Sequence, residues 1–255
     1  PPQRPRGTQD ILPDQQKYWE YVIETAKSVL HGWNFQRIDT PLFEEKALFE
    51  RGVGTATDLV GKELFELKSR GGSAYALRPE GTASLARAYI EHGMRSWPQP
   101  VKVFYIGPFF RYERPQKGRW RQLHQFGVEV FGSGAPITDV HVIYLNTILF
   151  QKLGIEDFVV HINSLGEAGE RTAYIKLLKD HYRRNRHKMC QDCKERLHTN
   201  PLRVLDCKEE KCRQLANTAP RLLDHLSEAS KLHFETVLNL LDDLGITYQI
   251  MPTLV

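Results

Sequence analysis

The sequence predicts an α+β protein in which helices flank a mostly antiparallel sheet and a mostly helical second domain follows. Three observations predict this class. Apolar residues recur at three- and four-residue steps in several segments, which is the period of an amphipathic helix. In the first part of the chain, short β-prone segments end at glycine or proline, which favours strands joined by turns. Near residue 158 the composition shifts toward longer helical patterns, which indicates a second, inserted domain.

The composition is that of a folded, water-soluble chain. Hydrophobic residues make up 41% and charged residues 26% of the 255 positions, which excludes a disordered segment, a collagen-like chain and a coiled coil. No run of 18 apolar residues occurs, so we expect no membrane partner. The first residues lack the apolar stretch of a secretory signal, so we expect a cytoplasmic protein. The net charge of +4 permits an acidic partner, and basic clusters at 111–121 and 183–188 favour one.

The first half of the chain opens with a predicted helix of about 16 residues, with Asp14 as N-cap and Gly32 at its end. Strands are predicted at 35–38, 75–78, 101–106, 109–114 and 122–131, further helices at 80–92 and 139–153, and a mobile hairpin loop at 115–119. Glycines at 52–54 predict another loop. The surrounding segment 52–57 lacks the third glycine and the strand–helix frame of a dinucleotide-binding motif, so that interpretation is discarded.

The second half is predicted to be mainly helical. Helices are expected at 167–184 and 227–244, after a strand at 158–162 and on either side of a cysteine-containing loop at 190–212. The final segment, 248–255, is extended and apolar and has no partner strand in this prediction. An unpaired terminal strand is a liability, so we expect the chain to be part of a longer one.

The hairpin at 109–131 carries the most informative polar residues. Because side chains alternate along a strand, Arg111 and Glu113 share one face, and Arg121, Gln125 and Glu129 share a face of the partner strand. A solvated sheet face would explain this pattern. A nucleotide site would explain it too, since arginine binds phosphate bidentately and a mid-strand glycine, Gly127, often marks the close approach of a ligand.

A second polar segment follows the predicted strand at 75–78. It places Glu80 and Thr82 at the start of a helix. Glu80 could be an acidic residue that stabilises the helix N-terminus, or a carboxylate that holds an ammonium group. The spacing leaves both interpretations open.

The four cysteines have the spacing of a metal site. Cys190 and Cys193 form one pair, Cys207 and Cys212 form another, and 13 residues separate the pairs. This pattern resembles a tetrahedral structural zinc site, and four reduced thiols are the alternative. No serine or cysteine lies in a recognisable nucleophile motif with histidine, so the pattern gives little support to a hydrolase.

Four segments resemble one enzyme family. Residues 6–13 read RGTQDILP, 77–82 read LRPEGT, 110–119 read FRYERPQKGR and 200–206 read NPLRVLD. Together they resemble the histidyl-tRNA synthetases, which are class II aminoacyl-tRNA synthetases, over nearly the whole chain.

The resemblance implies a domain organisation. Residues 1–157 would be a class II catalytic core with motifs 1 and 2, and residues 158–246 an insertion domain on the side of the tRNA acceptor stem. Residues 247–255 would be a strand returning to the core. Motif 1, at 35–44, would build a homodimer interface.

The resemblance also implies roles for individual residues. Arg111 would be the catalytic residue, holding both the α-phosphate of ATP and the histidine carboxylate. The remaining ATP-binding residues would be Glu113, which would bind the adenine amino group, with Arg119 and Arg121. The histidine pocket would be formed by Glu80, Gly81, Thr82, Arg111, Gln125 and Glu129. The tRNA acceptor end would contact Arg114, Gln116 and Lys117.

The implied function is that of a histidine–tRNA ligase. Its substrates would be L-histidine, ATP with Mg²⁺, and tRNA(His), and zinc would be a structural metal at the cysteines. Two departures from the family pattern stand out. Leu123 replaces the phenylalanine that usually stacks on adenine, and the chain stops before motif 3, the second histidine-binding segment and the anticodon-binding domain.

Two other functions remain open at this point. The first is a synthetase-like regulatory subunit of ATP phosphoribosyltransferase. Such proteins lack the insertion and diverge from the family in motif 2, whereas this chain keeps the insertion and the Arg111/Glu113 pair. The second is a noncatalytic RNA-binding module, which rests on the basic loops alone.

Overall fold

The computed structural model describes residues 1–54 and 57–255, which divide into two compact units. The first unit contains residues 1–134 and 145–155, and the second contains 135–144 and 156–255. Helices and small sheets are mixed, which confirms the predicted α+β class. Thr55 and Ala56, which belong to the discarded glycine-rich motif, lie outside the described residues. Within the described ranges, no helix combines the length and the apolar character that crossing a bilayer requires.

A three-stranded sheet organises the first unit. It contains β1 (Gln36–Arg37), β5 (Val101–Phe110) and β6 (Gln122–Phe131), with β5 in the centre. β5 and β6 pair in antiparallel register, so that Tyr105 lies opposite Gly127, while β1 pairs in parallel with β5. This register separates two faces of the hairpin, one of even-numbered and one of odd-numbered residues.

The even-numbered face of the hairpin packs on two helices, α1 (Pro13–Gly32) and α5 (Pro136–Lys152). The core between them contains, among others, Ala26, Leu30, Phe35, Phe104, Leu145 and Leu149, all at most 1% exposed. Burial of this apolar surface stabilises the hairpin from one side, as the alternation in the sequence predicts. The odd-numbered face is partly buried as well, because Val101, Val103, Tyr105 and Phe109 pack with Leu85, and Gln125 and Glu129 on that face remain for the candidate site.

A second small sheet and four helical segments complete this part of the unit. The antiparallel strands are β2 (Phe43–Glu45), β3 (Glu66–Lys68) and β4 (Ala74–Leu77), with β4 in the middle. The helical segments are α2 (Lys46–Phe49), a π-helical turn (Glu50–Gly54), α3 (Asp58–Lys62) and α4 (Thr82–Glu91). The loop predicted at 52–54 was therefore wrong, because those residues continue the helical path from α2.

In its described residues, the second unit contains the first part of α5, four further α-helices, three 3₁₀ turns and two parallel strands. The strands are β7 (Val160–Ile162) and β8 (Tyr248–Ile250), and the helices are α6 (Ala168–Arg184), α7 (Gln191–Thr199), α8 (Glu210–Asn217) and α9 (Glu228–Asp243). Tyr174, Leu178 and Tyr182 on α6 face the core of this unit and are at most 1% exposed. The assignment of 158–246 as an insertion domain, between a core at 1–157 and a strand at 247–255, stays a prediction.

Three further predictions about local structure were wrong. Asp14 lies inside the first turn of α1, where Pro13 is the first residue and the Gln15 side chain accepts a hydrogen bond from the backbone N–H of Leu12 (3.3 Å). The cysteine region is not a loop, since it contains α7 and α8. The terminal strand is not unpaired, because β8 pairs with β7.

The hairpin also differs from its prediction. A single strand, β5, runs through Gly107 and Pro108, where the sequence predicted a break, and it ends at Phe110 instead of continuing to residue 114. Pro108 is tolerated because β1 pairs only with Val103 and Phe104, so the missing N–H of proline faces no neighbouring strand at that edge.

Candidate active site

The residues of the predicted histidine pocket come together on the odd-numbered face of the hairpin. The hydroxyl of Thr82, the first residue of α4, donates a hydrogen bond to Glu129 Oε1 on β6 (2.6 Å). Burial raises the pKa of the Glu129 carboxyl, the nearby Glu80 charge raises it further, and the Thr82 hydroxyl opposes both. The pocket therefore contains a carboxylate that is poorly solvated and would gain from a cationic or N–H-bearing ligand.

Glu80 lies two residues before α4, and its carboxylate caps the first turn of that helix. One carboxylate oxygen accepts the backbone N–H of Thr82 (2.6 Å) and the other accepts that of Ala83 (2.9 Å). Both bonds satisfy N–H groups that the first turn of a helix leaves without an internal partner. Glu80 therefore stabilises the N-terminus of α4, which is one of the two interpretations that the sequence allows. Each oxygen of its carboxylate keeps a lone pair for a ligand.

Tyr105 lies among the residues of the predicted histidine pocket, although no pattern in the sequence singles it out. Its side chain is 5% exposed and lies against both Gly81 and Gly127, since a Cβ atom at either glycine would overlap the phenol. Its hydroxyl accepts a hydrogen bond from Gln125 Nε2 (3.1 Å). Burial and the charges of Glu129 and Glu80 raise the pKa of Tyr105 to about 12, so the phenol stays protonated.

This arrangement changes the interpretation of Gly127. In the sequence, a mid-strand glycine at 127 favours the close approach of a ligand, but the space above Gly127 is filled by Tyr105. Tyr105 could have been predicted from the pairing of the two strands, which places it directly opposite Gly127. A large residue directly opposite a glycine on the same face of an antiparallel pair leans over that glycine.

Arg111 is anchored to the loop that precedes α4. Its Nε donates a hydrogen bond to the carbonyl oxygen of Pro79 (3.0 Å), and its backbone N–H donates to the carbonyl of Arg121 (2.9 Å). The anchor uses Nε and leaves the four terminal N–H groups of the guanidinium for other partners. Arg111 thus joins the predicted histidine residues to the predicted ATP residues.

Arg78 supports this loop from beneath and was also missed. Its side chain is 6% exposed, Nε donates to the carbonyl of Pro108 (3.0 Å) and Nη1 donates to the carbonyl of Thr40 (2.9 Å). The guanidinium also lies over the ring of Phe109, 4.5 Å from its centroid. Burial lowers the pKa of Arg78 from its ordinary value. The three contacts fix the end of β4, from which Pro79 and Glu80 project.

The other predicted ATP residues surround the turn between β5 and β6. Arg119 Nη1 forms an ion pair with Glu113 Oε2 (3.1 Å), and Arg121 Nε donates to the Glu113 carbonyl (3.2 Å). The Arg121 guanidinium stacks over Tyr112, 4.2 Å from the ring centroid. Because the Arg119 side chain is 55% exposed, its ion pair with Glu113 is weak and can exchange for another anion.

The residues predicted to meet the tRNA end are exposed. Arg114, Gln116 and Lys117 lie in the loop between the strands, where Gln116 and Arg119 form an isolated bridge. A cleft of about 660 Å³ opens beside this loop, and its lining consists of Gln9, Asp10, Ile11, Trp19, Trp120, Gln122, Leu123 and His124. Leu123, which replaces the usual stacking residue, therefore shares a cleft wall with Trp120.

The four cysteines come together in the second unit. Their sulfur atoms all lie within 4.8 Å of one another, and the Sγ atoms of Cys190 and Cys207 are 3.8 Å apart. Four thiolates bound at about 2.3 Å in a tetrahedron lie about 3.8 Å apart, so the cluster has the size of a zinc site. Cys193 and Cys212 are fully buried, and Cys207 is 8% exposed.

The thiol pKa values differ with their surroundings. Burial raises the pKa of Cys193 and of Cys212. Burial also acts on Cys190, but the backbone N–H of Cys193, which donates to its sulfur (3.4 Å) at the start of α7, and the neighbouring thiols outweigh it, so that its pKa is lowered. Thiolates packed this closely in a buried site would be costly without a cation, so a bound metal would be needed to hold them deprotonated.

Comparison with known proteins points to one family. The family model described as Histidyl-tRNA synthetase matches residues 7–245. A histidine–tRNA ligase from Halothermothrix orenii is 48% identical over 251 residues, which cover 98% of this chain and 60% of that protein. The solved structure of apo Staphylococcus aureus histidyl-tRNA synthetase matches 99% of this chain and 57% of its own, with 38% identity and a TM-score of 0.77.

A more distant likeness concerns the fold alone. A structure described as an ATP phosphoribosyltransferase regulatory subunit/histidyl-tRNA synthetase from Bacillus halodurans matches 99% of this chain at 21% identity, with a TM-score of 0.68. The chain spans about 60% of the length of the curated relatives it matches.

Proposed function

The chain belongs to the histidyl-tRNA synthetase family, and from this premise we propose that it is the part of a histidine–tRNA ligase that binds ATP and histidine. In the first step the histidine carboxylate would attack the α-phosphorus of ATP and release pyrophosphate, leaving histidyl-adenylate. In the second step the 3′ end of tRNA(His) would take the histidyl group and release AMP. Mg²⁺ would accompany ATP and neutralise part of the phosphate charge.

The observation that carries the proposal is the anchoring of Arg111 between the two sets of predicted substrate residues. Its hydrogen bond to the Pro79 carbonyl ties the guanidinium to the residue that precedes Glu80, while its backbone N–H donates to the Arg121 carbonyl. Negative charge grows on the phosphate oxygens during the attack, and a guanidinium that is already oriented stabilises it without reorganisation. Arg111 is therefore proposed as the catalytic residue.

The pocket on the odd-numbered face supports histidine as the amino acid. Its residues, Glu80, Gly81, Thr82, Gln125 and Glu129, offer carboxylate and amide oxygens to an ammonium and an imidazole N–H. Glu129 is a poorly solvated carboxylate that would gain from such a donor. A pocket built to hydrogen-bond polar substrate atoms rejects amino acids that lack them, since its own groups would be left unpaired.

ATP would occupy the turn between β5 and β6. Arg119 and Arg121 would hold the phosphates with Arg111, and Glu113 would bind the adenine amino group once it releases Arg119. The exposed Arg114, Gln116 and Lys117 would contact the acceptor end of tRNA(His). We further propose a homodimer through the motif 1 segment at 35–44, and a cytoplasmic location, where tRNA is charged.

We also propose that zinc binds Cys190, Cys193, Cys207 and Cys212 as a structural metal. The separation of the sulfur atoms and the burial of three of them support this assignment. Bound zinc would hold the thiols as thiolates and cross-link the starts of α7 and α8. No step of the reaction passes through this metal.

The direct test is amino-acid-dependent ATP–pyrophosphate exchange by the full-length protein, with all standard amino acids. We expect exchange with histidine alone. Arg111→Ala should lower it about a hundredfold or more, with an unchanged circular dichroism spectrum, because it removes transition-state charge stabilisation. Arg70→Ala, at an exposed arginine in the turn between β3 and β4, is the matched control.

Two results would contradict the proposal. Near-normal exchange by Arg111→Ala would remove the role of Arg111. Silence of the folded full-length protein with every amino acid would contradict the ligase activity and favour the regulatory-subunit alternative.

A further inference from the structure

The N-terminal segment folds back onto the first residues of β6. Thr8 closes a turn over residues 5–8, in which its backbone N–H and its hydroxyl both donate to the carbonyl of Pro5 (3.2 and 2.8 Å). The carbonyl of Gly7 then accepts hydrogen bonds from the backbone N–H groups of Arg121 (2.7 Å) and Gln122 (3.3 Å). The turn thus holds the backbone at the point where β6 begins.

Gly7 is required at this contact for two reasons. Its φ angle is +84°, a left-handed conformation that glycine adopts without strain. A Cβ atom at this position would also lie 2.8 Å from Cγ and 3.0 Å from Cδ of Arg121. The methylene chain of Arg121 therefore lies directly against the glycine backbone, where no other residue fits without displacing it.

The far end of Arg121 is held from the other side. Its guanidinium stacks on Tyr112, and its Nε donates to the carbonyl of Glu113 (3.2 Å). An arginine side chain loses rotamer entropy when it is fixed, so contacts made before a ligand arrives reduce the loss on binding. The contact of the Arg121 methylene chain with Gly7 and the contacts of its guanidinium with Tyr112 and Glu113 together hold the Arg121 side chain in one orientation.

We infer that the turn at residues 5–8, through Gly7, is a positioning element that presets Arg121 to bind the phosphates of ATP. This inference rests on the proposed function, in which Arg121 is a phosphate-binding residue. It assigns a task to the RGTQD segment, which neither the proposed histidine pocket nor the proposed ATP contacts include. Gly7 acts through Arg121 and touches no substrate in this assignment.

The test is Gly7→Ala in the full-length protein, measured by histidine-dependent ATP–pyrophosphate exchange. We expect the KM for ATP to rise about tenfold or more, since a displacement of about 1 Å can cost up to about a hundredfold. The KM for histidine should stay near the wild-type value. Thr8→Val, which removes the hydroxyl that donates to Pro5, should shift the KM for ATP in the same direction by a smaller factor.

The matched control is Gly72→Ala. Gly72 also has a left-handed φ, +86°, but nothing lies within 4 Å of the position of its added Cβ. This variant carries the same backbone strain without displacing a neighbour, and it should leave both KM values unchanged. Thermal unfolding of all variants shows whether the fold persists.

A double-mutant cycle with Arg121→Ala separates the inference from the proposed function. If Gly7→Ala acts through Arg121, it has little further effect in the Arg121→Ala background. An equal effect in both backgrounds, or a wild-type KM for ATP in Gly7→Ala, overturns the positioning role and leaves the ligase assignment intact. A wild-type KM for ATP in Arg121→Ala removes the phosphate role of Arg121 and the inference with it.

Discussion

At the scale of single residues, the structure brings together side chains whose spacing in the sequence left their roles undecided. Glu80 is the clearest example, because its carboxylate accepts two backbone N–H groups at the start of α4 and still faces the pocket. The two interpretations of that residue are therefore compatible. A carboxylate fixed by a helix terminus is also a carboxylate held ready for an ammonium group.

Tyr105 provides the first prediction at this scale. Tyr105→Phe keeps the ring against Gly81 and Gly127 but removes the hydroxyl, which leaves the Gln125 amide without its acceptor. We expect kcat/KM for histidine to fall about tenfold, the value of one hydrogen bond of about 1.4 kcal/mol, while the KM for ATP is unchanged. Histidine-dependent ATP–pyrophosphate exchange, measured at varied concentrations of histidine and of ATP, separates the effect on kcat/KM for histidine from the effect on the KM for ATP.

Tyr182→Phe is the control for this variant. Tyr182 is fully buried in the second unit, and its hydroxyl has no hydrogen-bond partner among the described residues. Its removal should leave histidine activation and the free energy of unfolding unchanged or slightly improved, since no bond is lost. Equal kinetics for both variants would show that the Tyr105 hydroxyl has no role in the pocket.

At the scale of helices and strands, one carboxylate connects two helices of the second unit. Glu170 in the first turn of α6 accepts the backbone N–H of Glu167 (2.6 Å) and that of Ser227 (2.6 Å), which lies just before α9. The Ser230 hydroxyl also donates to it (2.9 Å). The bonds from Ser227, followed by that from Glu167, lower the pKa of Glu170 to about 2.

The lowered pKa predicts a pH dependence of stability. Glu170 has an ordinary pKa of 4.5, so its contribution is fully present above about pH 4.5 and is lost as the pH falls from there toward 2. We expect the difference in the free energy of unfolding between wild type and Glu170→Gln to shrink over this range. Urea unfolding monitored by circular dichroism at several pH values measures it.

Glu228→Gln is the matched control for this titration. The Glu228 side chain is 93% exposed and pairs only with Lys231 on its own helix, among the described residues. Such an exposed ion pair contributes little to stability. The difference in the free energy of unfolding between Glu228→Gln and wild type should therefore stay small and should not change with pH. A difference for Glu170→Gln that does not change with pH would contradict the network at Glu170.

Features that depend on the local pattern of apolar residues could be predicted from the sequence, whereas features that depend on distant parts of the chain could not. The β6 strand was predictable because apolar residues alternate along it, and its apolar face packs on α1 and α5. The β5 strand was predictable as a continuous apolar run, since both of its faces are buried. The true ends of β5 were not predictable. Pro108 is tolerated inside β5 only because it lies beyond the residues that pair with β1, and β1 is far away in sequence. The contact of Tyr105 with Gly81 likewise depends on how α4 approaches the sheet.

At the scale of the whole molecule, the cysteine cluster provides a prediction about metal removal. Protein purified without added metal should contain about one zinc per chain, as four thiolate ligands at one site require. A strong chelator should lower the unfolding temperature of the second unit and the hydrogen-exchange protection of α7 and α8. The first unit, which contains none of the four ligands, should keep its protection.

Restoring the metal completes that experiment. Added zinc should recover the lost protection, whereas added magnesium should not, because thiolates favour the softer ion. Full protection of α7 and α8 in protein shown by elemental analysis to be metal-free would contradict the zinc proposal.

The parallel pairing of β7 with β8 has a consequence for how this chain could be rearranged. Val160 lies beside Tyr248 and Ile162 beside Ile250, so the long stretch between them leaves and returns through adjacent strands. A stretch whose two ends are neighbours can be gained, lost or exchanged for another without stretching the rest of the chain. We therefore expect that a shorter connection could replace the helices between β7 and β8. Because the two strands are parallel, it must cross back from Ile162 to the start of β8, which takes about a dozen residues or more.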